Sequence, residues 1–472
     1  MGDGILDWLR RALGGGASAG PDNAPEPEPA RGQTRRFRLG LDWGTSATKL
    51  VLRDYGAPGD LGSASLLTPQ GRGLRYPSTV TMEGGRLWFG WEAEERRPRG
   101  TVWRSLKAEA GVGSRWGQEA GADGLVLRDL VHLSLAHHMA VGFAAARAQA
   151  ADKGATPSLE VTVGVPVLDS AVGGPEYHKA AAVAYELAVR RRLDVQGMAL
   201  PEAVDALRGD REKVMPGLAN DPLKAEAWLR PEVVASMAWP LKSPRIGEGP
   251  FTCIDIGAAT THASFFRILP GEGEPRRPKG RLLVYGAATG RQAMDAMCRA
   301  LAGFDGSREW WEWRGREHEV PARSRGGSKV TEVIDGIGKT WAKARQDAAY
   351  HGEGWSMTSW EGLRLLWVGG GSRVLWIRER FARPPGAARN VRGFHVVADL
   401  GRPDDLWLAD AAGLRTGKRP PPVDSAFASV AYGLSFRTGD LPEVTLPDGL
   451  PPRPAPPPRT SHRPDRDDIY PK

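Results

Sequence analysis

At 472 residues the chain is long enough to bury a large core and to divide into two lobes. Apolar residues make up 41% of it, and no uninterrupted apolar stretch reaches the length of a membrane-spanning helix. The net charge of +8 comes mostly from arginines scattered among Asp and Glu, with no basic segment interleaved with aromatics, which argues against direct nucleic-acid binding.

In chain order, residues 4–13 (GILDWLRRAL) carry a short helical pattern with Ile5, Leu9 and Leu13 on one face. A Gly-rich and then Pro-rich linker follows, so that residues 1–35 form a tethered helix and spacer. Such a helix docks a protein partner or associates with a membrane, or it is a frayed end without a role. Asp3 and Asp7 weaken any attraction to anionic lipid, which favours the partner. Leu6 stands where N-myristoylation needs Ser or Thr. No secretory leader is visible, so a cytoplasmic location is expected. The two cysteines, Cys253 and Cys298, read as reduced core residues.

The first chemical motif is LGLDWGTSATKLVL (Leu39–Leu52): an apolar run ending in Asp42, a small-residue turn with Gly44, Thr45 and Ser46, then a second strand-like run. YPSTV (Tyr76–Val80), FGWEA (Phe89–Ala93) and TVWRSLK (Thr101–Lys107) follow. A helical pattern over Asp129–Gln149 carries His132, His137 and His138, which read as a surface and packing set rather than metal ligands. The strand VTVGVPV (Val161–Val167) leads into a helix over Pro175–Leu193, and Asp194–Leu229 looks inserted. PEVVASMAW (Pro231–Trp239) then precedes CIDIGAATTHASFF (Cys253–Phe266), which repeats the first motif with Asp255, Gly257 and Thr260. The Trp-rich stretch Arg308–Ser328 is either an exposed contact surface or a small subdomain burying its own tryptophans. Gly336-Ile337-Gly338-Lys339-Thr340 mimics part of a P-loop, but it reads as helix interior with no strand before it. LRLLWVGGG (Leu363–Gly371) and VLWIRERF follow, and Leu441–Lys472, dense in Pro and charge, is expected to be disordered.

Alternating strands and helices make this an α/β chain. At each Asp-x-Gly tip, small residues let backbone N–H groups converge on an anion, and the hydroxyls add donors. A carboxylate beside phosphates requires a divalent cation, usually with its waters, between them. Two such tips facing each other imply a clamp around a magnesium nucleotide.

The ordered set of motifs resembles the nucleotide-binding domain of the DnaK-type heat-shock chaperones, within the actin, chaperone and sugar-kinase superfamily, over about residues 36–436. The resemblance implies a two-lobe actin-like ATPase fold with duplicated ribonuclease-H-like βαβ cores flanking a nucleotide cleft. Lobe I would span 36–245 and lobe II 246–436, with an inserted subdomain at about 285–360, a final helix returning to lobe I, and a disordered tail over 437–472. It implies ATP or ADP with Mg2+ as cofactors, Asp42 and Asp255 as the metal-facing acids, and Thr45 and Thr260 as phosphate-loop hydroxyls. Lys107 would stabilise charge on the transferred phosphate and Glu232 would orient water or metal. Gly369, Gly370, Gly371 and Ser372 would form the adenosine loop, Arg373 would cover the adenine face, and Lys343 would contact the adenosine from a helix.

The chain departs from that pattern in three places. His262 stands where the family carries another acid near the cation site, Thr340 stands for the acid upstream of Lys343, and no substrate-binding β-domain follows. The expected function is therefore a chaperone-like ATPase that turns over slowly and regulates a protein partner by opening and closing, with no peptide refolding in cis. The alternatives are an actin-like filament former or membrane-tethered scaffold, a small-molecule kinase on the same fold, and a nucleotide sensor without turnover.

Overall fold

The computed structural model describes residues 34–56, 62–68, 74–110, 116–122, 125–165, 174–220, 226–242, 247–269, 281–300, 328–349, 361–381, 395–397, 402–410, 412–421, 427–441 and 443–450. The N-terminal helical pattern, most of the Trp-rich stretch and residues 451–472 lie outside them. The chain is α/β, built on two large mixed sheets.

The first sheet begins with the hairpin of β1 (Thr34–Trp43) and β2 (Ala47–Asp54), to which β3 (Ser63–Leu67) adds antiparallel. On the other side of β1, β4 (Thr156–Val165) and then β5 (Ala227–Pro231) add in parallel, giving the order β5-β4-β1-β2-β3. β1 is central and paired on both edges, and its residues from Phe37 to Trp43 are all buried, as expected for a strand packed on both faces. The second sheet repeats this plan. β6 (Gly249–Ile256), β7 (Thr261–Leu269) and β8 (Arg281–Gly290) form the antiparallel meander, β9 (Arg364–Val368) adds in parallel to β6 and β10 (His395–Val396) in parallel to β9, giving β10-β9-β6-β7-β8. Each sheet even carries a further strand parallel to its third: Leu406–Ala409 beside β3, and Glu443–Thr445 beside β8.

Helices in chain order include α1 (Leu106–Ala110), α2 (Leu127–Ala151), α3 (Gly174–Tyr185), α4 (Glu232–Lys242), α5 (Met294–Ala300), α6 (Ser328–Ala348) and α7 (Ser429–Leu434). Asp129 caps the start of α2 by accepting from the Val126 N–H at 3.1 Å. α2 and α3 pack with the first sheet around Leu39, Leu41, Leu130, Leu133 and Val163. α6 lays Val330, Val333, Ile337, Trp341 and Ala344 on the second sheet, and the Trp341 indole N–H donates to Thr252 Oγ1 at 2.9 Å. The P-loop-like Gly336–Thr340 segment is thus interior to α6. A third cluster joins the two sheets through Val51, Leu66, Trp239, Phe251, Phe266 and Tyr432.

Several expected boundaries move. The subdomain expected at about 285–360 is not an insertion as drawn, because β8, α5 and α6 are core elements of the second sheet. The stretch Asp194–Leu229 ends in β5, a strand of the first sheet, so it is not wholly inserted. Leu406–Ala409, assigned by sequence to lobe II, pairs with β3 of the first sheet. The tail expected to be disordered from 437 onward instead supplies a strand, Glu443–Thr445, to the second sheet. Cys253 and Cys298 are buried free thiols, as expected. Among the described residues no helix is long and apolar enough to cross a membrane.

Of the α2 histidines, read from sequence as a surface and packing set, His132 and His138 are buried. His138 Nδ1–H donates to the Ser134 carbonyl at 2.7 Å, while its Nε2 is buried without a hydrogen-bond partner among the described residues. Burial, with His137 nearby, pushes the His138 imidazole down to about 3 against the opposing Ser134 carbonyl. His132 is lowered in the same way, by burial first and then by Arg211 and Arg128. Between pH 6.5 and about 3 the unfolded chain therefore takes up a proton that folded His138 refuses. Its contribution to stability is complete above pH 6.5 and falls as the pH drops. The variant His138→Asn keeps a donor for Ser134 and removes this proton, so it should flatten the slope of unfolding free energy between pH 6.5 and 4 by up to about 1.4 kcal/mol per pH unit. Urea unfolding at a series of pH values measures that slope, and a slope equal to the wild type's would rule the assignment out.

Candidate functional site

The two hairpin tips face one cleft, which encloses about 840 Å³ when the open solvent at its mouth is included. Of the residues singled out by sequence, Asp42, Gly44, Thr45, Ser46, Lys107, Glu232, Asp255, Gly257, Thr260, Gly369 and Gly370 all line it.

The first tip is held from behind by Ser78 of the YPSTV motif. The Ser78 N–H donates to the Ser46 carbonyl at 3.2 Å, and its hydroxyl donates to the Gly44 carbonyl at 2.7 Å. The second tip closes on itself through Gly257 N–H to the Thr260 carbonyl at 2.9 Å. It is anchored to the start of α5, where the Met294 and Asp295 N–H groups donate to the Gly257 and Ala258 carbonyls. Both tips are therefore fixed by neighbours and not by their own turns alone, which leaves their small residues facing the cleft.

Lys107 enters from α1, two residues after Ser105, whose φ of 56° is a left-handed conformation uncommon outside glycine. Such strain is held at a site when the surroundings over-determine it, and here the Tyr177 hydroxyl donates to the Lys107 carbonyl at 3.3 Å. The Lys107 ammonium is buried and donates to Glu232 Oε1. Glu232 opens α4, where the helix dipole also favours its charge.

Gly369 follows β9, whose Val368 is the register partner of Asp255. Its φ is 78°, and a Cβ there would lie 2.0 Å from Asp255 Oδ1, so no other residue fits. Ser372 turns back, its hydroxyl donating to the Gly369 carbonyl at 2.6 Å. Gly371 packs on Ile256. These two support the loop from behind and do not line the cleft. Arg373 ends the same short turn, and its side chain lies outside the described residues. Lys343 is exposed on α6 and is not among the cleft-lining residues.

Charge in the cleft is strongly coupled. Burial pushes the Asp255 carboxyl up to about 7, Glu232 and Asp42 add to the rise, and Lys49 and Lys107 oppose it. Burial would also raise Glu232, but Lys107, with His262 and Lys49 adding, outweighs it and holds that carboxyl below its ordinary value. Burial lowers His262, whose Nδ1 and Nε2 lie 2.8 Å from Thr289 Oγ1 and 3.1 Å from Thr260 Oγ1.

Among the described residues no group of three or more His, Cys, Asp and Glu is arranged to hold a metal ion unaided. The donor set instead fits a hydrated magnesium ion, which takes one or two carboxylates and completes its shell with water and phosphate oxygens. Asp255 is the carboxylate such a charge would relieve, with Asp42 on the facing tip.

Reading the sequence missed Lys49, Arg75, Phe427 and Val430, which also line the cleft. Lys49 was recoverable in principle, because a hairpin of this length pairs it with Asp42. No family model matches the chain, and no curated protein matches it.

Proposed function

We propose that the cleft binds ATP with magnesium and hydrolyses it slowly, on a two-lobe actin-like fold made of two ribonuclease-H-like cores. The observation that carries this reading is the duplication. Two sheets of the same strand order each present an Asp-x-Gly hairpin tip to one cleft, with the two acids at matching positions.

On this reading the N–H groups and hydroxyls of Gly44–Ser46 and Gly257–Thr260 cradle the phosphates. Asp255 and Asp42 would hold the magnesium ion, whose charge would offset that of the phosphate oxygens. Lys107 stabilises negative charge on the transferred γ-phosphate as ADP leaves, and Glu232 accepts a hydrogen bond from the attacking water and aligns it. Gly369 and Gly370 let the backbone approach the sugar and base. Closure of the lobes on the triphosphate, with reopening on the diphosphate, would change affinity for a protein partner.

The test is equilibrium binding of a fluorescent ATP analogue with magnesium, alongside phosphate release without any added acceptor. The wild type should bind and release phosphate. The variant Asp255→Ala should bind at least about tenfold more weakly, since a lost charge-assisted contact is worth more than about 1.4 kcal/mol. Equal binding by wild type and Asp255→Ala, or none by the wild type, rejects the reading.

A further inference from the structure

We propose that Lys49 and Arg75 supply a built-in positive charge at the first hairpin tip, so that the cleft holds a nucleoside triphosphate through its own cations even without a divalent metal. The inference rests on the nucleotide reading above and concerns how the phosphates are held.

The register places Lys49 directly opposite Asp42 across β1 and β2, and its ammonium sits 2.6 Å from Asp42 Oδ2. Both side chains are largely buried, with relative exposures of 12% and 6%, so water screens the pair weakly. The same ammonium lies 4.6 Å over the Phe427 ring, and the Arg75 guanidinium lies 4.6 Å over that ring as well. The two cations share one aromatic platform at the cleft wall. The second hairpin differs. At the position matching Lys49 it carries His262, tied to Thr260 and Thr289. The duplicated clamp is thus asymmetric, with a fixed cation at the first tip and an acid without an ion-pair partner, among the described residues, at the second.

The balance of charge decides what this arrangement does. Three cationic side chains, Lys49, Arg75 and Lys107, line the cleft against three carboxylates, Asp42, Glu232 and Asp255. A cleft lined by acids alone repels a triphosphate until a metal enters, whereas one already balanced does not. A lysine ammonium carries three donors on a flexible stem, so Lys49 can keep Asp42 and still donate to a phosphate oxygen. Arg75 adds a second positive charge on the same Phe427 platform.

The experiment measures affinity for the fluorescent ATP analogue in magnesium and in EDTA. The wild type should keep measurable binding in EDTA, losing no more than about thirtyfold. Replacing both members of the pair with neutral residues of similar size, Asp42→Asn with Lys49→Met, avoids an unpaired buried charge and keeps the fold. In EDTA this double variant should bind at least about thirtyfold more weakly than the wild type. Lys49→Arg should keep the metal-free binding. Wild-type binding that needs magnesium, or a double variant that binds as tightly as the wild type in EDTA, overturns the proposal and leaves the nucleotide reading intact. Absence of binding in both buffers overturns both.

Discussion

Gly433→Ala is expected to destabilise the protein by about 3 kcal/mol and to weaken nucleotide binding with it. Gly433 lies in α7, which packs on α4. A Cβ at this position would lie 1.8 Å from the Ala235 carbonyl oxygen and 2.5 Å from its carbon. The obstacle is backbone, so no side chain can rotate away and the two helices must separate. In isolation the substitution favours a helix by up to about 1 kcal/mol. Overpacking of a tight core costs about 1–3 kcal/mol and sometimes more, and here it opposes a contact that cannot relax. The Gly433 carbonyl also accepts from Arg230 Nη1 at 2.9 Å, a bond that moves with the helix. α7 contributes Ala431 and Tyr432 to the cluster joining the two sheets, and α4 begins with Glu232 in the cleft. Separation of α7 from α4 therefore reaches both the junction and the site. Gly209→Ala is the control: it also adds a methyl to a helix, but a Cβ there meets nothing within 4 Å, so it should be neutral or stabilising. Urea unfolding midpoints for the two variants decide the matter. Equal midpoints would show that α4 and α7 do not touch as closely as described.

What could be read from sequence was local. Each Asp-x-Gly tip announces itself because its apolar flanks, acid and small residues are contiguous, and the burial of the α6 stripe follows from helical spacing. What could not be read depends on partners far along the chain. Arg53 sits in an apolar run and is fully buried, because Asp405, 352 residues away, accepts from its Nη1 at 2.7 Å while Phe436 lies 3.7 Å below the guanidinium. Glu443–Thr445 has the composition of a Pro-rich tail and becomes a strand only because the edge of β8 is there to pair with. Arg75, just ahead of YPSTV, and Phe427, in a segment with no motif, carry no signal of their own, and only the meeting of Arg75 and Lys49 over the Phe427 ring gives them meaning. Lys343, singled out on a loose local likeness, stands exposed on α6 and apart from the residues that line the cleft.

Lys107→Met should lower stability by about 3–5 kcal/mol at pH 8, the usual consequence of removing one partner of a buried ion pair. The pair is buried at both ends, with relative exposures of 8% and 11%, so little is lost to solvent screening. Without the ammonium, Glu232 is left with burial, which raises its carboxyl, and with weaker help from His262 and Lys49. The folded variant then favours protonated Glu232. Its stability deficit should accordingly shrink as the pH falls toward the ordinary carboxylate range, the reverse of the wild type, whose depressed Glu232 contributes above that range and loses its contribution as the carboxylate protonates. Adding Glu232→Gln removes the stranded charge, and the double variant should recover most of the wild-type stability. Phosphate release should not recover. Loss of one group that stabilises transition-state charge typically costs about 10²–10³-fold, and the double variant lacks both the cation and the water-orienting carboxylate. Stability that returns while turnover stays lost separates a pair that acts on the reaction from one that merely fills the space between α1 and α4. Recovery of turnover together with stability would assign Lys107 and Glu232 to folding alone.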